Sequence, residues 1–196
     1  MRRVVVSEYV SLDGVFDDPG GSEKTKYGGW SFQFWNEEAA KFKFEELFAS
    51  DALLLGRVTY EGFAKAWPTQ KDEAGFADRM NSLPKYVVST TLKNPEWNNT
   101  RLIKENIVEE VTKLKQQPGM DILVAGSAEL VHTLMQNNLV DEYRLLVHPV
   151  ILGSGRRLFQ DGIEKQILRL VNTKTFSSGI VLLTYQTAGT LPGMAK

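Results

Sequence analysis

The sequence predicts an α/β fold: a three-layer sandwich with a mostly parallel central sheet, helices on both faces and a C-terminal antiparallel hairpin. Short unbroken apolar runs, typical of strands buried on both faces of a sheet, alternate with segments of helical periodicity. The last two β-rich runs are joined by Ser177-Ser178-Gly179, which is a hairpin signal. Alternating strands and helices build parallel sheets, so the hairpin supplies an antiparallel edge.

Strand signals come from apolar, often β-branched runs that end at glycine or at small polar residues. The first is the valine-rich run after Arg3, and the clearest is ILVA at 122–125, which stops at Gly126. In order along the chain, the predicted strands are 3–10, 52–55, 86–88, 101–104, 122–125, 142–148, 168–176 and 180–185.

Helix signals are apolar residues at helical spacing behind a capping residue. Asn36 precedes Glu37 and Glu38, whose charges suit the positive end of a helix dipole, and Ser127 precedes the helix after the clearest strand. The predicted helices are 37–50, 59–67, 72–82, 107–117 and 128–136. The residues from 187 to the end are expected to be loosely held.

The segment from 14 to 35 has no clear periodicity and is rich in glycine and aromatic residues. A loop this long inside a compact domain is usually functional or disordered. Trp30, Phe32, Phe34 and Trp35 would be costly to expose to water. We therefore predict a packed lid whose aromatic side chains cover a ligand, with a mobile surface loop as the alternative.

Composition limits the classes of function. The 196 residues suit a single domain, 1–196, of ordinary hydrophobic (42%) and charged (24%) content. A formal net charge of −1 without blocks of like charge argues against nucleic-acid or membrane-surface binding. The absence of cysteine excludes disulfides and thiolate metal sites. Glu8 and Asp13 come too early for a signal peptide. We expect a cytoplasmic protein whose partner is a small molecule.

Polar junctions directly follow three predicted strands: Gly56-Arg57, Ser89-Thr90-Thr91 and Gly126-Ser127. Ligands of parallel sheets bind beyond the carboxyl ends of the strands, so the three junctions are expected along one edge. A glycine beside a helix N-terminus leaves backbone N–H groups open to an anion. The pattern indicates a phosphate site, although most such turns in α/β proteins bind nothing.

Five segments carry a family resemblance: SLDG at 11–14, DALLLGRVTYEGF at 51–63, VVST at 87–90, VAGSAEL at 124–130 and LVDEYRLLVHPVILGSGRRLF at 139–159. Each segment alone is unspecific. In this order and spacing, over nearly the whole chain, they resemble the dihydrofolate reductase-like superfamily. The closest resemblance is to the reductase domain of bacterial riboflavin biosynthesis and its stand-alone relatives.

The resemblance implies an NADPH-dependent reductase of a small metabolite, similar to 5-amino-6-(5-phosphoribosylamino)uracil reductase, without a metal. The family's GRVT element and the turn after VAGS hold the cofactor phosphates, and the end of VVST reaches the adenosine. The cofactor-binding residues so implied are Gly56, Arg57, Thr59, Ser89, Thr90, Gly126, Ser127, Ala128, Glu129 and Leu130. Asp13 is implied as a substrate contact, with a turn role before Gly14 as the alternative. Family habit and the apolar hairpin also imply a homodimer.

Departures from the family leave the substrate open. Dihydrofolate reductases carry an acidic residue early in the first helix, and the matching position falls near Ala40. The riboflavin reductases often have glutamate where this chain has Val124. The alternative interpretation is a non-catalytic nucleotide-binding protein of the same fold, which the glycine and arginine placement supports equally. We interpret His132, expected on the polar face of its helix, and His148 as structural, and residues 153–157, GSGRR, as a turn.

Overall fold

The computed structural model describes residues 1–188, so most of the tail expected to be loosely held lies outside the described residues. One sheet of eight strands crosses the molecule. The strands are β1 (Val4–Ser11), β2 (Ser50–Gly56), β3 (Lys85–Val88), β4 (Thr100–Ile103), β5 (Asp121–Val124), β6 (Glu142–His148), β7 (Leu168–Thr175) and β8 (Val181–Thr187). Their order across the sheet is β4-β3-β2-β5-β1-β6-β8-β7.

The sheet is parallel except at its C-terminal side. Strands β1 to β6 all pair in parallel, while β8 pairs antiparallel with both β6 and β7. The predicted α/β fold, with a mostly parallel sheet and a C-terminal antiparallel hairpin, is confirmed. Strand β1 lies between β5 and β6, so the connection from β5 to β6 passes over β1.

Helices cover both faces of the sheet. They are α1 (Glu37–Phe48), α2 (Arg57–Ala66), α3 (Phe76–Ser82), α4 (Ile107–Gln116) and α5 (Ala128–Gln136). Val4 and Val6 pack with α4 and α5 on one face, whereas Val5 packs with α1, α2 and α3 on the other. Within residues 1–188, no helix is both long enough and apolar enough to cross a membrane.

Two helices begin elsewhere than the sequence pattern predicts. Helix α2 starts two residues early, at Arg57, because Gly56 already serves as its N-cap. Helix α3 starts four residues late, because Gly75 has a φ of +83° and the Asp72 carboxylate accepts the N–H groups of Phe76 and Ala77. Asp72 therefore acts as a cap ahead of the helix and not as part of it.

The predicted lid is packed in part. Trp30 is buried, donates its indole N–H to the Asp17 carbonyl at 2.8 Å and meets His148 edge-on. Phe32 and Trp35, however, remain 65% and 46% exposed. Trp30 and the buried residues Phe16, Asp18 and Ser31 therefore anchor the segment, and its first half lines a cleft described below.

Candidate functional site

Two strand-to-helix junctions touch each other at the carboxyl edge of the sheet. The Gly56 N–H donates to the Gly126 carbonyl at 3.1 Å. A side chain at Gly56 would collide with Ser127, and a Cβ at Gly126 would lie 2.8 Å from Thr59 Oγ1. The start of α2 and the start of α5 can therefore approach this closely only because both positions are glycine.

The N-termini of α2 and α5 offer paired backbone donors. The N-cap of α2 is Gly56, which has no side chain. The N-cap of α5 is Ser127, whose side chain makes no capping hydrogen bond among the described residues. The N–H groups of the first turns consequently keep their capacity to bind an anion, and both helix dipoles favour negative charge there. This donor set, with no side chain on either glycine, fits a phosphate or pyrophosphate group.

A cleft of about 220 Å³ opens beside this junction. Its walls come from the end of β1, from α1, from the starts of α2 and α5, and from the first half of the lid. The lining residues are Ser7, Glu8, Tyr9, Phe16, Asp17, Asp18, Pro19, Gly20, Ser22, Glu23, Lys43, Val58, Thr59, Gly62, Phe63, Ala125, Gly126, Ser127, Ala128 and Arg156. Arg156 forms ion pairs with Asp17 at 2.6 Å and with Glu23 at 2.9 Å, and these two pairs hold the first half of the lid against the cleft.

Four of the predicted cofactor residues line this cleft: Thr59, Gly126, Ser127 and Ala128. Gly56 lies directly behind them, in contact with Ser127. The other members of the two junctions lie outside the cleft. Arg57 and Glu129 are exposed at the first turns of α2 and α5, and the side chain of Leu130 belongs to the core.

The third junction lies on the same edge but does not line the cleft. Gly56 is paired in register with Val88, which places the end of β3 beside the start of α2. Ser89 is buried, and its Oγ accepts the N–H groups of Thr91 and Leu92. Thr90 is exposed. Contact of Ser89 and Thr90 with a cofactor stays a prediction.

Asp13 is placed in a turn and is not among the residues that line the cleft. Its carboxylate accepts from the Ser11 hydroxyl at 2.7 Å and from the N–H groups of Leu152 and Gly153 at 3.1 and 2.8 Å. The Ser11 hydroxyl, followed by these backbone donors, lowers the pKa of Asp13 to about 2. This arrangement matches the alternative turn role, and it also holds the start of the GSGRR segment in place.

The two histidines have structural partners. The expectation that His132 lies on the polar face of α5 is wrong: the side chain is buried, with Nε2 3.0 Å from the Leu158 carbonyl. His148 is also buried, with Nδ1 2.7 Å from the Leu146 carbonyl, and burial lowers its pKa.

A charged cluster at the base of the cleft was not predicted from the sequence. Glu8 on β1 and Lys43 on α1 both line it. Lys43 Nζ donates to Ser7 Oγ at 3.0 Å and pairs with the buried Glu46. Burial alone would lower the pKa of Lys43, but Glu46 and Tyr9 raise it above its ordinary value. The acidic residue that dihydrofolate reductases carry early in the first helix is absent near Ala40, whereas Glu8 on β1 brings a carboxyl group to the cleft.

A signal for Glu8 exists in the sequence. Residues 4–10 read as one strand buried on both faces, and a carboxyl in such a strand has no route to water along the sheet. Buried carboxyl groups are rare unless they are paired or functional. Lys43 has no comparable signal, because a lysine on an amphipathic helix is ordinarily a solvated residue.

The chain belongs to the RibD C-terminal domain family, whose family model matches residues 2–182. It is also 36% identical over 191 residues to the "Uncharacterized protein YyaP" of Bacillus subtilis (strain 168), with 96% of each chain covered. The residues that the family model matches therefore include strands β1 to β7, the start of β8, the two glycine junctions and the cleft.

Solved structures share the fold. A Shewanella sp. PV-4 protein provisionally named for riboflavin biosynthesis has a TM-score of 0.74 at 21% identity, covering 95% of this chain and 99% of its own. The dihydrofolate reductase of Enterococcus faecalis, solved in complex with NADP(H), has a TM-score of 0.61 at 14% identity, covering 95% and 97%. At such identities the likeness shows the dihydrofolate reductase-like fold, as predicted, and not a shared substrate.

Proposed function

We propose that this chain is an NADPH-dependent reductase of a small metabolite, with a reaction resembling that of 5-amino-6-(5-phosphoribosylamino)uracil reductase. The observation that carries the proposal is the meeting of two helix N-termini at a glycine turn on the wall of a cleft. Pyrophosphate binding calls for such paired backbone donors and for close approach to the main chain. The reductases of the same fold support the reaction class.

Each group of residues has a role under this proposal. The N–H groups that follow Gly56 and Ser127 hold the phosphates, and Thr59 places a hydroxyl beside Gly126 for the same anion. Arg57 and the end of β3 meet the adenosine end of the cofactor. NADPH supplies a hydride when bound. Lid residues and the end of β1 close the remaining walls and limit the access of water.

Nucleotide binding and turnover provide the test. Addition of NADPH is expected to quench tryptophan fluorescence, since Trp30 is bonded to the cleft residue Asp17. A stopped-flow scan against carbonyl and heterocyclic metabolites is then expected to find NADPH oxidation. Binding without turnover on any member of the panel would favour the non-catalytic nucleotide-binding alternative. Failure of NADPH to bind at all would contradict the proposal.

Arg57→Ala is expected to weaken NADPH binding by about tenfold to a hundredfold while leaving NADH binding nearly unchanged. NADPH differs from NADH by one phosphate group on the adenosine ribose, which Arg57 is proposed to bind. Hydrogen bonds to a charged group contribute roughly 1.5 to 3 kcal/mol each. In the free protein Arg57 pairs with Glu61 at 2.9 Å, both side chains being more than 40% exposed. Such a surface pair is worth under about 1 kcal/mol, so little thermal stability should be lost.

Glu61→Gln is the matched variant for this measurement. It releases Arg57 from its intrahelical partner and should leave NADPH binding equal or tighter. Fluorescence titration of both cofactors against the three proteins gives the affinity ratios. An unchanged NADPH to NADH ratio in Arg57→Ala would remove Arg57 from the phosphate site.

We also propose that the chain forms a homodimer through its C-terminal hairpin. Strand β7 is one of the two outer strands of the sheet, and seven of its eight residues are exposed. Leu170 and Val171 on this strand are 48% and 40% exposed. An uncovered edge strand that exposes apolar side chains favours pairing with a second copy. Light scattering at micromolar concentration should give twice the chain mass, and a monomer mass would refute the dimer.

A further inference from the structure

One carboxyl group in the cleft, that of Glu8, has an oxygen atom without a hydrogen-bond partner among the described residues. The side chain of Glu8 is 7% exposed, and its Oε1 atom accepts and donates no hydrogen bond among the described residues. Buried carboxyl groups are normally paired or fully hydrogen-bonded. Glu8 lines the cleft beside Gly126, so a bound molecule can supply the missing partner.

The nearest cation is already taken by another carboxylate. Lys43 pairs with Glu46, which also accepts from Ser7 Oγ at 3.0 Å and from Arg144 at 3.3 Å. Glu46 therefore has two cations and a hydroxyl, while Glu8 has none of them as a direct partner. Two carboxyl groups thus share one nearby lysine, and the unpaired one is the one more easily kept neutral.

We propose that Glu8 is a neutral carboxylic acid in the resting protein and that it donates a hydrogen bond, and then a proton, to a carbonyl oxygen or imine nitrogen of the substrate. This inference rests on the proposed reductase function and narrows its substrate class. An uncharged acceptor group fits the cleft beside Glu8, whereas an amidinium or ammonium group does not.

The reaction balances with these groups alone. Reduction of a C=O or C=N bond adds a hydride to carbon and a proton to the heteroatom. Reduced nicotinamide is the hydride source under the proposed function. The proton leaves the Glu8 O–H bond, and the resulting carboxylate lies in the field of the Lys43 ammonium group. Glu8 then takes back one proton from water.

The electrostatics of the cleft agree with a neutral Glu8. Burial raises its pKa to about 8; Lys43 opposes this rise, Glu46 adds to it, and the Gly126 backbone opposes it. A donor with a pKa near neutrality is suited to general acid catalysis. Other charged or titratable groups near Glu8 or on the walls of the same cleft are Tyr9, Asp17, Asp18, Glu23 and Arg156.

Benzamide and benzamidinium form the probe pair, because they differ mainly in whether an acceptor or a permanent cation faces the carboxyl. Ligand-observed NMR at one pH unit below and one unit above the pKa of Glu8 gives their relative affinities. Benzamide should bind more tightly at the lower pH and lose about tenfold at the higher pH, as the neutral acid falls from roughly nine-tenths to one-tenth of the population. Benzamidinium should show the opposite trend.

Glu8→Gln keeps the size and the donor of the neutral acid but cannot ionise. It should retain benzamide binding at both pH values and lose the dependence on pH. Glu23→Gln, which changes another carboxyl of the same cleft, should keep that dependence because Glu23 is paired with Arg156. Preference of the unmutated protein for benzamidinium at the lower pH, or the same pH dependence in Glu8→Gln, would overturn the proposal.

Nucleotide titration separates this inference from the function on which it rests. Glu8→Gln should bind NADPH with unchanged affinity while turnover on any reducible carbonyl or imine found in the panel falls at least a hundredfold. If the unmutated protein binds no NADPH, the proposed function fails whatever the benzamide result. If NADPH binds and turnover in Glu8→Gln is undiminished, Glu8 is not the proton donor and the reductase function stands.

Discussion

Gly126→Ala is expected to weaken NADPH binding strongly and to lower the free energy of unfolding by about 2 to 4 kcal/mol. Gly126 has a φ of +91°, which disfavours any side chain, and its Cβ would lie 2.8 Å from Thr59 Oγ1. The start of α2 and the start of α5 would have to separate. A loss of at least about a hundredfold in NADPH affinity follows if both helix N-termini hold the same pyrophosphate.

Gly162→Ala separates backbone strain from crowding. Gly162 has a similar φ of +84°, but a Cβ there would have no neighbour within 4 Å. Gly162→Ala should lower the free energy of unfolding by only roughly 1 to 2 kcal/mol, because alanine must adopt a left-handed backbone conformation there. NADPH binding should be unchanged. Chemical denaturation and fluorescence titration give both quantities. Normal NADPH affinity in a folded Gly126→Ala protein would place the phosphate site elsewhere.

Glu8→Gln is expected to stabilise the protein at alkaline pH and not at acidic pH. Glu8 has a pKa of about 8 in the folded protein, above its ordinary value of 4.5. A raised pKa means that the folded state binds more protons, so the contribution of Glu8 to stability is complete below about 4.5 and is lost as the pH rises through about 8. Between about pH 5 and about pH 9 the loss is on the order of 4 kcal/mol, and the variant does not undergo it.

Thermal melts at about pH 5 and about pH 9 measure this effect. For a chain of this length, the gain in melting temperature of Glu8→Gln over the unmutated protein should grow by roughly 8 to 16 °C between the two conditions. Other titrating groups are common to both proteins and cancel. Glu45→Gln removes a carboxyl group on α1 whose side chain is 63% exposed. Its melting-temperature difference from the unmutated protein should be the same at both pH values. A gain equal at both pH values would mean that Glu8 is ionised in the folded protein.

The fold could be predicted from local patterns, because each strand of this sheet has its own signal. All eight predicted strands are present, and most helix bounds agree within two residues. Helix α3 is the exception, since the capping role of Asp72 depends on the conformation of Gly75 and not on apolar spacing. The order of the strands in the sheet could not be predicted from the sequence, because a short apolar run does not specify which of the seven other strands it will pair with.

In the candidate site, too, the features set by local sequence could be predicted and those set by long-range packing could not. The glycine junctions could be found because the turn chemistry is local, and the structure brings Gly56 and Gly126 into contact. Glu8 and Lys43 could not be joined by sequence reasoning, because their meeting depends on α1 packing against the end of β1. The direction of the Asp13 carboxylate likewise depends on residues far along the chain, Leu152 and Gly153.

The position of β1 in the sheet determines when this protein can complete its folding. Strand β1 is synthesised first, yet Val4 pairs with Ile122 and Ser11 with His148. Parallel pairing between such distant segments is slow, and three adjacent valines stay without a partner strand while the ribosome is still adding the middle of the chain. Strands β2, β3 and β4 can associate earlier, as neighbours in both sequence and space. Glu8 meets Gly126 only after β5 has been made, so the cleft is among the last parts of the molecule to form.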